Sequence, residues 1–177
     1  MPTEISTPIH ESYWVIPGRL SAGEYPGAVE DEEARGKLRW LIEQDTHMIL
    51  DLTEEGEHGL RSYAEILLEE SAKIPYSIVH KRIPLQDFST PDILRMAEIL
   101  DTIDLALSLG RNVYLHCFGG KGRTGTVVGC FLVRYGMSGT QALERIQELR
   151  KALPGKKEQS PETEGQKRMV LEWKKGQ

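Results

Sequence analysis

The chain has little cysteine. Its 177 residues include two, Cys117 and Cys130. Two are too few for a disulfide scaffold, and neither has the paired spacing that a structural zinc site needs. Cys130 lies in an apolar segment, where a free cysteine packs as a small hydrophobic residue. We therefore expect a reducing compartment and no structural metal.

Metal-ligating histidine patterns are missing as well. Four histidines share no common spacing, and scattered histidines are usually surface groups or satisfied core groups. These four are His10, His47, His58 and His80. The sequence therefore predicts no metal site and no cofactor.

Long apolar runs are also absent. The longest, near residues 127–133, is broken by Gly129 and falls short of the roughly 20 residues that a membrane span needs. Residues 1–14 are acidic and polar where a signal peptide would carry a basic start and an apolar stretch. The C-terminal residues carry no lipidation signal. We therefore expect a cytoplasmic protein without membrane insertion.

Basic residues are fewer than acidic residues. Lysine and arginine number 22 against 27 aspartate and glutamate residues, which gives a formal net charge of -5. Nucleic-acid-binding proteins usually carry a basic stripe that neutralises phosphates, so no nucleic-acid partner is expected and any anion site must be local. The hydrophobic share of 39% is enough for one sizeable core. The length favours a single domain over residues 1–177.

Strands and helices alternate along the chain. Apolar runs and alternating patterns predict strands at 13–16, 48–52, 76–85 and 112–116. Helical spacing, capping residues and proline or glycine boundaries predict helices after the acidic residues 30–33, at 60–72, 89–109, 124–135 and 141–153, and from residue 161 onward. This order predicts an α/β fold with a central, mainly parallel sheet of about four to five strands flanked by helices.

One segment combines a thiol, glycines and an arginine. Residues 113–125 read VYLHCFGGKGRTG, which places Cys117 at a strand end and Arg123 at the next helix start. Three glycines let the backbone take positive φ angles, so that successive amides point at one anion. The helix adds its positive end, and Arg123 offers two parallel donors to phosphate oxygens. The same field favours the nucleophilic thiolate form of Cys117. The predicted phosphate-binding residues are Phe118, Gly119, Gly120, Lys121, Gly122 and Arg123.

A second segment supplies a carboxylic acid. A phosphorylated cysteine requires a proton for the leaving oxygen and then an activated water. Asp87 lies in residues 84–91, a predicted loop between a strand and a helix, and such a loop can swing over a bound phosphate. Asp92 is nearer the helix and is expected to act electrostatically.

These residues resemble the signature of the cysteine-based protein tyrosine phosphatase superfamily: His-Cys, five residues, Arg, then Ser or Thr. His116, Cys117, Arg123 and Thr124 match every signature position. Within that group the chain is similar to the compact dual-specificity and atypical phosphatases. Its acid loop carries Leu-Gln-Asp where the tyrosine-specific enzymes carry Trp-Pro-Asp. The resemblance spans most of the chain.

The resemblance implies a fold of the dual-specificity phosphatase type and a role for each matched residue. Asp87 is general acid and then base, the Thr124 hydroxyl helps the thiolate leave, and His116 orients the loop and supports the thiolate. Gln166, in the stretch SPETEGQ, is similar to a glutamine that positions the hydrolytic water in some members. The implied substrates are phosphotyrosine proteins or peptides, with phosphoserine and phosphothreonine as extensions. Phosphate, vanadate or sulfate-like anions are expected in the active site.

Three alternatives stay open. Lipid-directed relatives of the tensin-homologue type often carry lysine directly after the cysteine and before the Gly-Arg pair. Here Phe118 replaces the first lysine and Lys121 keeps the second, which leaves phosphoinositides as a substrate class. A non-catalytic phosphate-binding module would keep the loop without turnover. Residues 120–125 also satisfy the dinucleotide-binding pattern G-x-G-x-x-G, although that reading gives no role to Cys117 and Asp87 together.

Overall fold

A five-stranded sheet forms the centre of the protein. The computed structural model describes Ile9, residues 11–153 and residues 158–177. The strands are β1 (Ser12–Ile16), β2 (Leu20–Gly23), β3 (Thr46–Asp51), β4 (Val79–Arg82) and β5 (Asn112–His116). Their spatial order is β1-β2-β5-β3-β4; β1 runs antiparallel to β2, and the other neighbours are parallel. The predicted mainly parallel sheet is confirmed.

Helices cover both faces of this sheet. They are α1 (Asp31–Glu43), α2 (Ala64–Ser71), α3 (Ile93–Ser108), α4 (Gly122–Arg134), α5 (Gly139–Leu149) and α6 (Glu164–Glu172). Successive strand residues point to opposite faces. On β5, Val113 and Leu115 pack in a core cluster with residues of α3 to α6, whereas Tyr114 packs with residues of α1 and α2. Within the described ranges, no helix is both long and apolar enough to cross a membrane.

Strand β2 was not predicted from the sequence. It is four residues long, LSAG, and small residues have weak strand propensity. Pairing on both sides explains why it forms, because Leu20 and Gly23 align with β1 on one side and with β5 on the other. The tertiary setting here overrides a weak local preference.

Three helices begin later than predicted, among them α2, which begins at Ala64 and not at residue 60. The predicted start of α3 at residue 89 is wrong: the helix begins at Ile93, and the Asp92 carboxylate caps it by accepting a hydrogen bond from the Arg95 amide at 2.8 Å. The Ser89 hydroxyl instead donates to a loop carbonyl. Helix α6 begins at Glu164, where Thr163 and Gln166 form a capping box. The later start of α3 leaves residues 83–92 as a loop between β4 and α3.

The carboxyl ends of three parallel strands meet at one edge of the sheet. Asp51 at the end of β3 aligns with His116 on β5 and with Arg82 on β4. The ladder continues past the strands, since the Leu52 amide donates to the His116 carbonyl at 2.9 Å and the Leu85 amide to the Leu52 carbonyl at 3.0 Å. The segments that follow these strands therefore converge, as ligand-binding loops of parallel sheets do.

Candidate active site

The phosphate loop, residues 117–121, joins β5 to α4. The Cys117 side chain is almost fully buried, with 3% of the residue exposed. Gly120 has φ +70°, and a Cβ there would lie 2.4 Å from the carbonyl carbon of Gly23, so no larger residue fits. Of the three glycines that allow positive φ here, Gly120 is the one that adopts it. Gly119 does not, and Gly122 is already the first residue of α4.

Three carbonyls of the phosphate loop accept hydrogen bonds from outside it. Buried Arg150 donates to the Gly120 carbonyl at 3.0 Å, and the Ser160 hydroxyl donates to the Lys121 carbonyl at 2.7 Å. A backbone amide from the segment after β2 donates to the Phe118 carbonyl at 3.0 Å. In a trans peptide the next amide points the opposite way. The amides that follow these carbonyls are thus turned away from the anchoring groups, as an anion cradle requires.

Arg123 is held by a partner that the sequence analysis missed. It is 1% exposed, and its Nη1 and Nη2 donate to the two carboxylate oxygens of Glu57 at 2.7 and 2.6 Å. Nη1 also donates to the Leu85 carbonyl at 2.9 Å. Nε is buried and has no hydrogen-bond partner among the described residues. Although burial disfavours the charged guanidinium, the hydrogen bonds to Glu57 and the nearby negative charges hold the pKa of Arg123 above its usual value.

Glu57 lies in a 3-10 turn, Glu57–Gly59, between β3 and α2. Its contact with Arg123 joins residues 66 positions apart. The turn is one of several acidic stretches in the chain, and its sequence has no feature that distinguishes this glutamate. Only the convergence of the strand ends brings the two residues together.

Asp87 lies beside Arg123, on the acid loop, residues 83–92. One carboxylate oxygen, Oδ1, accepts from the Phe88 amide at 3.0 Å and lies 3.2 Å from Arg123 Nη2. The other, Oδ2, lies 2.7 Å from His58 Nε2. The sequence pattern indicates a surface or satisfied core group at His58 and gives it no part in this cluster; its half-exposed side chain contacts the candidate acid. Asp92, by contrast, caps α3, and no contact joins it to this cluster within the described part of the chain.

His116, at the end of β5, contacts the backbone of the phosphate loop. It is fully buried, with Nδ1 3.0 Å from the Cys117 carbonyl and Nε2 2.7 Å from the Tyr63 hydroxyl. Burial lowers the pKa of His116 to about 4, although the charge of Asp51 opposes the shift. The ring is thus neutral near pH 7, and because a carbonyl only accepts, Nδ1 carries the proton and the Tyr63 hydroxyl donates to Nε2.

Asp51 completes this buried network. Burial disfavours its charge, but hydrogen bonds from His80 and Thr53 hold the pKa of Asp51 well below its usual range. Arg82 also donates to this carboxylate at 3.1 Å. A fixed negative charge therefore lies under the end of β5.

Thr124 and Gln166 lie next to the phosphate loop. The Thr124 hydroxyl is buried and lacks a hydrogen-bond partner in the ranges that the structure describes. Gln166 is buried: its Oε1 accepts from the amides of Glu162 and Thr163, and its Nε2 donates to the Ser89 carbonyl at 3.1 Å. Gln166 thus ties α6 to the acid loop. Its role in positioning water stays a prediction.

The other two predicted loop side chains point in different directions. Phe118 is 45% exposed, and its ring lies 4.9 Å from the His58 ring. Lys121 forms an ion pair with Glu158. Cys130 is buried in the core as predicted, and burial raises the pKa of its thiol far above the usual value. The site therefore gathers one buried thiol, one buried arginine and one carboxyl at the same sheet edge.

The fold and these residues place the chain in the cysteine-based protein tyrosine phosphatase superfamily, whose signature the sequence carries. More narrowly, the family of DSP-PTPase phosphatases of polymorphic toxin systems matches residues 26–137, and the chain belongs to it. The protein is therefore a member of a cysteine-dependent phosphatase family. Membership sets aside the dinucleotide-binding alternative.

Comparisons with individual proteins agree with this placement. The chain is similar to the crystal structure of Tk-PTP in the active form, with 27% identity, coverage of 92% of this chain and 95% of that chain, and a TM-score of 0.65. Cyclin-dependent kinase inhibitor 3 from Sus scrofa is 32% identical over 42% of this chain and 36% of that protein. Phosphatidylglycerophosphate phosphatase PTPMT2 from Arabidopsis thaliana is 32% identical over 49% of this chain and 39% of that protein. The matches thus span well under half of these two curated relatives.

Proposed function

We propose that the protein hydrolyses phosphotyrosine in proteins or peptides through a phosphocysteine on Cys117. The observation that carries this proposal is the hydrogen bonding of the Arg123 guanidinium. Glu57 binds Nη1 and Nη2, whereas buried Nε has no hydrogen-bond partner among the described residues. Nε and the second hydrogen of Nη2 form a parallel pair that matches two phosphate oxygens, and a phosphate bound there takes the place of Asp87 Oδ1, which lies 3.2 Å from Nη2. A buried, unpartnered donor is costly unless a ligand satisfies it.

The proposed reaction has two steps. The Cys117 thiolate attacks phosphorus, a sulfur–phosphorus bond forms, and the bond to the leaving oxygen breaks as Asp87 protonates that oxygen. Asp87 then takes a proton from water, the resulting nucleophile attacks phosphorus, and the thiolate leaves with phosphate released. The Thr124 hydroxyl, which has no hydrogen-bond partner in the described ranges, supports a role as donor to the departing sulfur. His116 holds the loop through the Cys117 carbonyl.

Two observations favour an aromatic phosphate on a protein. Exposed rings stand next to both reacting groups: Phe118 follows Cys117, and Phe88, 61% exposed, follows Asp87. Aromatic side chains of this kind favour a phosphotyrosine ring over an alkyl chain. Lys121 is the one lysine that matches the lipid-directed pattern, and it forms an ion pair with Glu158. This ion pair weakens the attraction of Lys121 for a polyanionic headgroup. The relative named for a lipid phosphate keeps lipids as the alternative to be tested.

The first experiment measures phosphate release from para-nitrophenyl phosphate with a chelator present and vanadate as inhibitor. Wild type is compared with Cys117→Ser and with Cys130→Ser, a matched control whose helical serine can hydrogen-bond the carbonyl one turn back. We expect chelator-resistant, vanadate-sensitive turnover that only Cys117→Ser abolishes. Equal loss in both variants would point to a folding defect and remove the support for Cys117.

A substrate panel follows, with phosphotyrosine, phosphoserine and phosphothreonine peptides and phosphoinositide vesicles. A higher kcat/KM for phosphotyrosine peptides is expected. A preference for the vesicles would assign the site to lipids. Binding of phosphopeptides by folded, reduced wild type without any turnover would identify a non-catalytic module.

A further inference from the structure

His58 has an unusual backbone conformation at the edge of the candidate site. Its φ is +51°, between Gly56 at +71° and Gly59 at +72°. A left-handed φ is uncommon in residues other than glycine, although histidine adopts it more often than most. Such conformations persist where the surroundings hold them and are concentrated at functional sites.

In this conformation the His58 side chain contacts two residues of the candidate site. Its Nε2 lies 2.7 Å from Asp87 Oδ2, and its ring lies 4.9 Å from that of Phe118. The preceding residue, Glu57, holds the two terminal nitrogens of Arg123. Two adjacent residues of one turn therefore contact the candidate phosphate clamp and the candidate acid.

The two oxygens of Asp87 differ in their surroundings. Oδ1 accepts a hydrogen bond from the Phe88 amide at 3.0 Å and lies 3.2 Å from Arg123 Nη2. Oδ2 faces the His58 ring, and in the described part of the chain His58 is its one hydrogen-bonding side chain. Both oxygens are therefore held: Oδ1 by the backbone and by Arg123, and Oδ2 by the ring of His58.

We propose that His58 is a positioning residue that holds the Asp87 carboxyl in the orientation from which it protonates the leaving oxygen. Its Nε2 contacts Oδ2 at 2.7 Å and so fixes the second oxygen of a carboxyl whose first oxygen lies at the Phe88 amide and Arg123. In the first step the carboxyl proton moves to the leaving oxygen; His58 neither gains nor loses one. The proposal rests on the proposed phosphatase function and adds a residue to it.

The test compares substrates with good and poor leaving groups. His58→Asn keeps a residue that tolerates left-handed φ but removes the ring and shortens the reach. We expect kcat/KM for phenyl phosphate to fall about tenfold or more, and that for para-nitrophenyl phosphate to fall less than about threefold, because an activated leaving group needs little protonation. The control is His47→Asn, at the opposite end of β3, where the ring stacks on Tyr76. His47→Asn should leave kcat/KM unchanged for both substrates.

A second arm removes the acid. In an Asp87→Asn background, His58→Asn should cause no further loss with phenyl phosphate, because a positioning residue acts only through the group that it positions. Equal losses with both substrates, or full additivity in that background, would overturn the role of His58. If His58→Asn lowers the melting temperature, His58→Gly, which accepts the φ freely, provides the same comparison. An inactive wild type would instead overturn the phosphatase function itself, and with it this role.

Discussion

The phosphate loop and the acid loop leave the same edge of the sheet, yet the protein holds them differently. The phosphate loop is anchored by buried groups: Arg150 and Ser160 bind its carbonyls, and His116 supports it from below. The acid loop has more exposed contacts. Asp87 is held by the half-exposed His58, and Phe88 points to solvent with a left-handed φ of +57°.

This contrast fits what the two loops are proposed to do. Donors that stabilise a developing charge are effective when they are fixed before the reaction. An acid must instead approach the leaving group after the substrate has bound, and loops that do so have few buried contacts. Changes in the phosphate loop should therefore affect both stability and activity, whereas changes in the acid loop should affect activity alone.

The largest effect is expected for Arg123→Lys. Lysine has one nitrogen, so it cannot bind both Glu57 oxygens and still offer a parallel pair to phosphate. We expect kcat/KM for para-nitrophenyl phosphate to fall at least about a hundredfold, and the melting temperature to fall as well. Arg111→Lys, an exposed arginine at the far end of the sheet, is the control. Retention of more than about a tenth of the activity would remove Arg123 from the clamp role.

A smaller and more selective effect is expected for Asp87→Asn. The loss of kcat/KM should reach about a hundredfold for alkyl phosphates and be much smaller for para-nitrophenyl phosphate, since the acid matters most for poor leaving groups. The free energy of unfolding should stay within about 1 kcal/mol of wild type. Asp92→Asn is the control, because asparagine caps a helix as well as aspartate does. Comparable losses for both substrates would assign the acid to another residue.

The contrast between the loops also separates what the sequence could predict from what it could not. Cys117 and Arg123 lie in one continuous stretch, whose glycines and strand-to-helix position carry the information locally. Asp87 could be proposed as the acid because the loop that holds it has its own proline and hydroxyl boundaries. These are short-range patterns, and the structure places all three residues at the same edge of the sheet.

The residues that hold the candidate site residues in place could not be predicted from such short-range patterns. Glu57, His58 and Arg150 act across 66, 29 and 30 residues respectively, and no spacing along the chain relates them to their partners. Strand β2 was missed for a similar reason, because its small residues form a strand only between two others. What the sequence leaves out is thus the set of contacts that depends on how the strands align.

The smallest expected effect is on the pH dependence of the free energy of unfolding, and it arises from His116 beside the phosphate loop. Burial lowers the pKa of His116 from 6.5 to about 4, so the folded protein keeps this ring neutral where the unfolded chain binds a proton. Its contribution to stability is complete above pH 6.5 and is lost as the pH falls towards 4. Between about pH 7 and pH 5 the loss amounts to about 2 kcal/mol.

Urea unfolding at several pH values measures this loss. His116→Gln should remove that share of the pH dependence, while His47→Gln, outside the site, should retain it. Asp51, whose pKa is held below its usual range, adds a further loss only at more acidic pH, because its carboxylate stays charged in the folded state after the unfolded one has been protonated. An unchanged slope in His116→Gln would mean that this histidine is not buried neutral beneath Cys117, and the rigid support assigned to the phosphate loop would have to come from Arg150 and Ser160 alone.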